Sequence, residues 1–411
     1  MTAVTMPTVE PISVGKAELI HHPNRNIFVT RIEVDFGDRK RKLWFRVRQI
    51  PHLERNLGDL SAPVVLLAAM RAGRDLVFEE PLSKSRLRAL DQVQDTLVGW
   101  YPHRMRRVAV TAPKPEKEWP RESLLRGGKS RPRTVSCFTG GVDSFYSLVT
   151  NPEADAIVFV DGLDVPLSAA ESLKRVSKSN RAVARAQGIR YHRVESNIRY
   201  FLKNTGVSWG FEGHGAALAA VAKLLSPRYE KFLIPSTHGE GVQIRWGSHP
   251  ELDPLWSTKS NEVIHDGGVA TRVDKVVRIA AEPLPQQFLR VCFMQHRQDN
   301  CGNCMKCLRT MSTLELLGHL QDFQTFPNPL DIGKVAALRI KTRNDFIQFS
   351  DLLALSERVG GHEELRAALA AILDHYPLLV AQRTPAPERT PAPPEWAPPV
   401  GAVLEHVGQP T

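Results

Sequence analysis

This chain has no apolar run long enough to cross a bilayer. Its longest candidates, Ala62 to Met70 and the Lys-interrupted Gly215 to Leu225, fall well short of the roughly 20 residues required. No membrane span is expected. The opening stretch, MTAVTMPTVEPISVGK, lacks both an early positive cluster and a following apolar core, so it does not read as a secretory signal and a cytoplasmic location is the expectation. Cysteine is scarce: there are five, an odd number, and four lie between 292 and 307. A secreted disulfide framework is not usually distributed in this way, and clustering at this spacing points to a metal instead. Acidic residues are outnumbered 44 to 54, giving a net charge of +10, which suits phosphate-bearing partners, either nucleotides or nucleic acid. With 42% hydrophobic and 24% charged residues over 411 positions, the chain is neither disordered nor fibrous, and two folded units plus tails are expected.

Apolar and polar residues alternate over Ile27 to Val34 and Leu43 to Val47, on either side of the charged turn FGDRKRK, which predicts a β-hairpin. Ala62 to Ala72 and Lys84 to Trp100 carry helical periodicity, and Arg107 to Thr111 reads as another strand. Residues 1–120 therefore read as an α+β N-terminal domain without a catalytic signature. From Ala112 the composition turns to Pro, Lys, Glu and Gly, and 121–133 is placed as a linker. Beyond it, apolar strand-like runs at Thr134 to Phe138, Ala156 to Val160, Tyr191 to Val194 and Phe232 to Pro235 alternate with helical stretches. That alternation predicts an α/β domain, a parallel sheet sandwiched by helices, over 134–330. Helices are expected over 331–378, with Asn344 to Val359 and His362 to Leu373 as candidates. The repeat of RTPAP within 379–411 reads as an extended Pro-rich, disordered tail.

Two motifs carry chemistry. Thr139-Gly140-Gly141-Val142-Asp143-Ser144 follows a short apolar strand and precedes an apolar-periodic stretch. Two glycines let the backbone turn its N–H groups toward an anion, Thr139 and Ser144 add hydroxyls, and the new helix adds the positive end of its dipole. Phosphate oxygens are the natural ligand, while Asp143 is suited either to position magnesium or to cap the helix. The loop lacks the Lys of a Walker loop and the spacing of a dinucleotide fingerprint. The second motif is C-x8-C-x2-C-x2-C, formed by Cys292, Cys301, Cys304 and Cys307. Its closely spaced steps present four thiolates to one tetrahedral ion, as in a structural zinc site, with an iron–sulfur cluster and unligated or disulfide-linked cysteines as the rival readings. Cys137, inside the strand before the loop, reads as a small buried residue rather than a nucleophile.

The loop resembles the S-G-G-x-D-S loop of the PP-loop ATP pyrophosphatases, with Thr139 in place of the usual Ser. Followed about 150 residues later by C-x8-C-x2-C-x2-C, continuing as CGNCMKCLRT, it closely resembles 7-cyano-7-deazaguanine synthase over roughly Thr134 to Leu317. The resemblance implies the adenine nucleotide alpha-hydrolase-like fold. It also implies a cytoplasmic ligase that uses ATP with Mg2+ to adenylate 7-carboxy-7-deazaguanine, lets ammonia displace AMP to give the amide, and repeats activation to reach the nitrile. By the same resemblance, Asp143 and Ser144 serve catalysis, Thr139 to Ser144 and Asp161 hold the nucleotide, and Cys292, Cys301, Cys304 and Cys307 bind Zn2+. The chain departs from the family at Gly213-His214-Gly215, which stands where a substrate-contacting Arg-Asn pair is usual. It departs again in the longer segment holding His238, Arg245, His249 and Asp253. Lys259, Arg272, Lys275 and Arg278 are candidates for late phosphate contacts or simply a basic helix face.

The N-terminal 120 residues and the Pro-rich tail exceed what the compact synthase needs. Relatives in anti-phage defence clusters suggest a second reading, in which the activated deazaguanine acyl group passes to a protein or nucleic-acid acceptor. Thiolation of tRNA by a PP-loop enzyme is a further alternative, and a zinc module with a basic nucleic-acid clamp is the non-enzymatic one. Assembly as a homodimer stays open.

Overall fold

In the computed structural model, which describes residues 10–48, 57–118, 131–226, 228–239, 244–292 and 300–381, the chain divides into two compact units, Met1–Ile279 and Ala280–Thr411.

The first unit is α/β and is built on one sheet. Strand β1 is Ile12–Val14, β2 Glu18–His22, β3 Ile27–Asp35, β4 Lys40–Arg48, β5 Leu76–Phe78, β6 Val110–Thr111, β7 Thr134–Cys137, β8 Ala156–Asp161, β9 Arg190–Ser196, β10 Lys231–Pro235 and β11 Glu262–Asp266. Their order among the described residues is β11-β10-β7-β8-β9-β4-β3-β1-β5-β6, with β2 also paired to β3. From β11 to β9 every neighbouring pair is parallel. All six residues of AIVFVD in β8 are buried, as a strand covered by helices on both faces requires. By contrast β4, KRKLWFRVR, buries Leu43, Phe45 and Val47 and leaves Trp44 half-buried and Arg46 exposed between them, the alternation of a strand with one wet face.

The hairpin read from the sequence is β3–β4, paired from Ile27↔Arg48 to Asp35↔Lys40. Strand β4 then pairs antiparallel with β9, through Phe45↔Ser196 and Val47↔Val194. The N-terminal strands thus continue the parallel sheet, and the division at Ile279 differs from the break placed at 121–133. Of that linker, 121–130 lies outside the described residues, while Arg131 makes a two-pronged pair with Asp155 at 2.9 and 3.0 Å.

Helix α1 (Gly58–Ala72) is buried from Gly58 to Met70, because PVVLLAAM is apolar on every side and a helix of that kind packs inside. Helix α2 (Lys84–Trp100) begins at Ser83, whose hydroxyl accepts from the Arg86 N–H. Helices α3 (Val142–Thr150), α4 (Ala170–Ala186), α5 (Ile198–Asn204), α6 (His214–Leu225) and α7 (Arg272–Ile279) complete the unit. Helix α6 packs against α1. Strand β11 is one that periodicity alone did not reveal, since EVIHD carries little apolar signal.

The second unit is helical. Helices α8 (Pro283–Phe288), α9 (Met305–Leu316), α10 (Ile332–Ala336), α11 (Arg343–Val359) and α12 (Glu363–Ala381) follow in order. Helix α12 runs past the expected end at 378, and the remainder of the expected tail, 382–411, lies outside the described residues. No helix among the described residues is long and apolar enough to cross a membrane.

Candidate nucleotide loop and metal centre

Strand β7 sits between β10 and β8, so whatever follows Cys137 emerges at the C-terminal edge of a parallel sheet, the usual ligand-binding edge of open α/β sheets. The Phe138 N–H carries the ladder one step further, donating to the Val158 carbonyl at 2.8 Å, and Asn180 Nδ2 donates to the Phe138 carbonyl at 3.2 Å. The chain then turns through Gly140 at φ +75°, a left-handed conformation that a side chain would strain. Gly141 precedes α3 in an extended conformation, and no side chain caps the helix start. Ser144 closes the turn: its Oγ accepts from the Thr139 N–H at 3.0 Å and lies 3.0 Å from Thr139 Oγ1. The loop Thr139 to Ser144 is therefore held in shape by its own hydroxyls, with the uncapped first turn of α3 facing outward from the strand end.

Asp143, in that first turn, meets two cations. Its Oδ2 lies 3.1 Å from Arg272 Nη1 and its Oδ1 3.4 Å from Lys275 Nζ. Burial holds the Lys275 ammonium below its usual range, and the Asp143 charge works against that shift. Because both carboxylate oxygens of Asp143 already face cations, the loop is not a preformed cage of oxygen ligands for magnesium.

Asp161, at the end of β8, is buried, and Arg193 donates to its Oδ2 at 2.7 Å. Burial raises its carboxyl pKa, with Arg193 opposing, and its Oδ1 has no hydrogen-bond partner. Next to it Gly162 stands at φ +91°, where an added Cβ would lie 2.2 Å from the Ser196 carbonyl oxygen, so that position admits only glycine. Cys137 is buried and its thiol is pushed well up by burial, as suits a small core residue.

The remaining polar candidates of this unit separate into groups. His214 lies between Trp209 and Trp246, with ring centroids 6.0 Å from each, and His238 lies 5.9 Å from Trp246. Burial lowers the His214 pKa. Asp253 is fully buried, and its Oδ2 accepts from Ser248 Oγ at 2.5 Å and lies 2.7 Å from His265 Nδ1. The sequence reading missed Ser248 and His265, since His265 falls in the strand that periodicity did not show. Arg245 and His249 turn toward the end of α2: Arg245 Nη1 donates to the Trp100 carbonyl at 2.9 Å, and the His249 ring meets Trp100 edge-on at 4.8 Å. Lys259 and Arg278 are exposed, whereas Arg272 and Lys275 reach the loop.

In the second unit, Cys292, Cys301, Cys304 and Cys307 bring their sulfur atoms within 4.8 Å of one another, positioned to bind a metal ion. Cys301 and Cys307 are 3.8 Å apart and Cys304 and Cys292 3.9 Å. Metal–sulfur bonds of about 2.3 Å in a tetrahedron imply edges of about 3.8 Å, so these spacings fit one tetrahedral ion. Gly302 turns at φ +67°, and the N–H groups of Asn303 and Cys304 donate to Cys301 Sγ at 3.4 and 3.3 Å. Cys304, in an extended conformation, immediately precedes α9, and Cys307 lies on its first turn. Buried Asn300 ties the motif together: its Oδ1 accepts from the Val291 and Cys292 N–H groups, and its Nδ2 donates to the Leu289 carbonyl. Hydrogen bonding to Cys292 pushes the Cys304 thiol up to about 11 and the Cys307 thiol higher still. A dication reverses that tendency by favouring thiolates.

No family model and no curated protein matches this chain. Among solved structures it is similar to a chain described as a Type III CRISPR defence DNA nuclease activated by cyclic oligoadenylate. Identity is 13% and the TM-score 0.18, with 84% of this chain and 56% of that chain covered. The chain thus spans little more than half of that neighbour's length, and a likeness at this level carries no functional argument.

Proposed function

We propose that the protein is an ATP-dependent, AMP-forming ligase that activates a carboxylate as its acyl adenylate, with 7-carboxy-7-deazaguanine as the substrate that the motif resemblance suggests. The observation that carries the proposal is the Thr139 to Ser144 loop, turned at Gly140 and closed by Ser144 between a buried parallel strand and an uncapped helix start. Backbone N–H groups in this arrangement cradle phosphate oxygens. The adenylate forms when a carboxylate oxygen attacks the α-phosphorus and the bond to the departing diphosphate breaks. An amine then attacks the acyl carbon, loses a proton and releases AMP. The chain's contribution is positioning and charge neutralisation. The unpartnered Oδ1 of Asp161, at the C-terminal edge beside the loop, suits a donor on the ribose or the adenine.

The metal is zinc in this reading. A four-iron cluster spreads its cysteines over four iron atoms, whereas these four sulfur atoms share one shell of 4.8 Å. Bound zinc supplies cross-linking of the segment around Val291 to Thr313 rather than reaction chemistry.

The N-terminal strands favour a second reading of the acceptor. A hairpin that joins the catalytic sheet through β9 adds surface that ammonia does not require, and a macromolecular amine is the alternative nucleophile. Full-length protein incubated with Mg-ATP, ammonia and 7-carboxy-7-deazaguanine is expected to release AMP and diphosphate and to yield amide or nitrile by mass spectrometry. Asp143→Ala is expected to lose AMP formation while keeping the far-UV spectrum of the parent. AMP with activated but untransferred base would direct attention to a missing acceptor, and unchanged turnover in Asp143→Ala would remove the loop from the mechanism.

A further inference from the structure

The last two residues of β11 turn to opposite faces of the sheet, as neighbours on a strand do. Asp266 meets the Ser147 hydroxyl and Asn151 Nδ2 on the α3 side. His265 goes the other way, to the single helical turn Asp253–Trp256, where its Nδ1 lies 2.7 Å from Asp253 Oδ2. Both residues pair with the end of β10, His265 with Ile234 and Asp266 with Pro235. They therefore stand at the C-terminal edge from which the Thr139 to Ser144 loop also emerges. Ser236 connects the two places. Its N–H donates to the Asp266 carbonyl at 2.7 Å, and its own carbonyl accepts at 2.6 Å from Lys275 Nζ, the ammonium that faces Asp143.

Asp253 is placed to hold the imidazole rather than to react. It is fully buried, and the Ser248 hydroxyl donates to the same Oδ2 at 2.5 Å. An added Cβ on Gly215, in the first turn of α6, would lie 2.9 Å from its Oδ1, so the carboxylate is fixed between that helix start and the strand. Ser248 bonds the carboxylate and not the ring, which rules out the serine–histidine–aspartate order of a nucleophile chain. What remains is a base with its orienter. A carboxylate at Nδ1 assigns the proton of the neutral ring to that nitrogen and leaves the Nε2 lone pair on the opposite side. Gly268 keeps room beside it: a Cβ there would stand 3.8 Å from Nε2 and 3.9 Å from Ser236 Oγ. At 7% side-chain exposure the ring is nearly dry. The other charged or titratable groups around the pair are His249, which acts on His265 and is acted on by Asp253, His214, which feels Asp253, His238 beyond β10, turned to Trp246, and Lys275 across Ser236.

We propose that His265 is the general base of the transfer step, with Asp253 as its positioning residue; this rests on the ligase reading above. The amine nitrogen forms its bond to the acyl carbon, the proton it must shed passes to His265 Nε2, and the bond from the acyl carbon to the AMP oxygen breaks with its electron pair leaving on AMP. Asp253 stabilises the imidazolium that results, which then returns its proton to solvent. The activation step, in which a carboxylate displaces diphosphate, has no proton to remove and does not use the pair.

That division supplies the test. Full-length protein is assayed with Mg-ATP and 7-carboxy-7-deazaguanine in two ways: carboxylate-dependent exchange of labelled diphosphate into ATP, which reads activation, and amide formation with ammonia, which reads transfer. His265→Gln is expected to lower transfer by at least about a hundredfold, the usual contribution of a general base, and to lower exchange by less than tenfold. Added imidazole is expected to restore transfer to His265→Ala in a concentration-dependent way. Asp253→Asn should follow His265→Gln, through the wrong tautomer. In the parent, transfer expressed per un-ionised ammonia should fall on the acid side as one group protonates, while exchange does not. Equal losses of exchange and transfer in a folded His265→Gln overturn the proposal. If the variants do not fold, parallel pH profiles of the two reactions in the parent overturn it as well. Absence of exchange in the parent would instead overturn the ligase reading, and this proposal with it.

Discussion

Individual side chains in this fold owe their chemistry to burial as much as to their type. His192, on β9, is buried with its Nε2 2.6 Å from the Tyr229 hydroxyl, and desolvation lowers its pKa to about 4. Its unfolded value is about 6.5. The unfolded chain therefore binds a proton between those values that the folded chain refuses, so stability is complete above about pH 6.5 and falls as the pH drops toward 4. The loss approaches roughly 3 kcal/mol for a shift of this size. Urea unfolding of the parent and of His192→Phe at pH 7 and pH 4.5 should show a steeper acid loss in the parent; parallel losses would mean that other groups carry the effect. His192 was not among the residues the sequence singled out. A histidine alternating with Tyr191 and Arg193 gives no sign of facing the interior until the strand is placed between its neighbours.

At the scale of elements, the four-cysteine knuckle and the strand–loop–helix were both legible, because each is local. The φ of Gly302, the N–H groups on Cys301 Sγ and the helix start after Cys304 lie within a few residues, and spacing alone predicts such a turn. Binding of zinc to such a site contributes on the order of 10 kcal/mol of folding free energy. Cys304→Ser is accordingly expected to give protein with little bound zinc and a disordered second unit, read by metal analysis and by loss of amide protection over 300–320. A variant that keeps its metal and its protection would show that three sulfur ligands suffice. Strand β11 was not legible. Its charged and polar residues are tolerated because Asp266 meets Ser147 and Asn151, and His265 meets Asp253, partners that no local pattern announces.

For the molecule as a whole, the N-terminal residues are part of the first unit's architecture. Strand β4 covers the edge of β9, and Asp59 of α1, fully buried, faces Lys223 of α6 at 3.8 Å. Arg86 of α2, also buried, donates to the Trp256 carbonyl at 2.9 Å. Removing residues 1–130 would strip the edge of β9 and leave Lys223 without its carboxylate partner, two changes that promote aggregation and cost several kcal/mol. The truncated chain is expected to be insoluble on expression where the full chain is soluble. A soluble, cooperatively melting 131–411 fragment would argue instead for an appended and independent N-terminal domain.

Periodicity, glycine placement and cysteine spacing determined, from the sequence alone, a hairpin, a parallel α/β core, a glycine-turned strand–loop–helix and a metal-type knuckle, because each is set by dihedral preferences and side-chain repeats within a few residues. Only the tertiary structure decided that β4 joins β9 across about 150 residues, that Asp143 meets Lys275 from 132 residues away and Arg272 beside it, and that Asp253 gathers Ser248 and His265. Those pairings depend on which faces meet when helices and sheet pack together, and burial then fixes which charges must find one another.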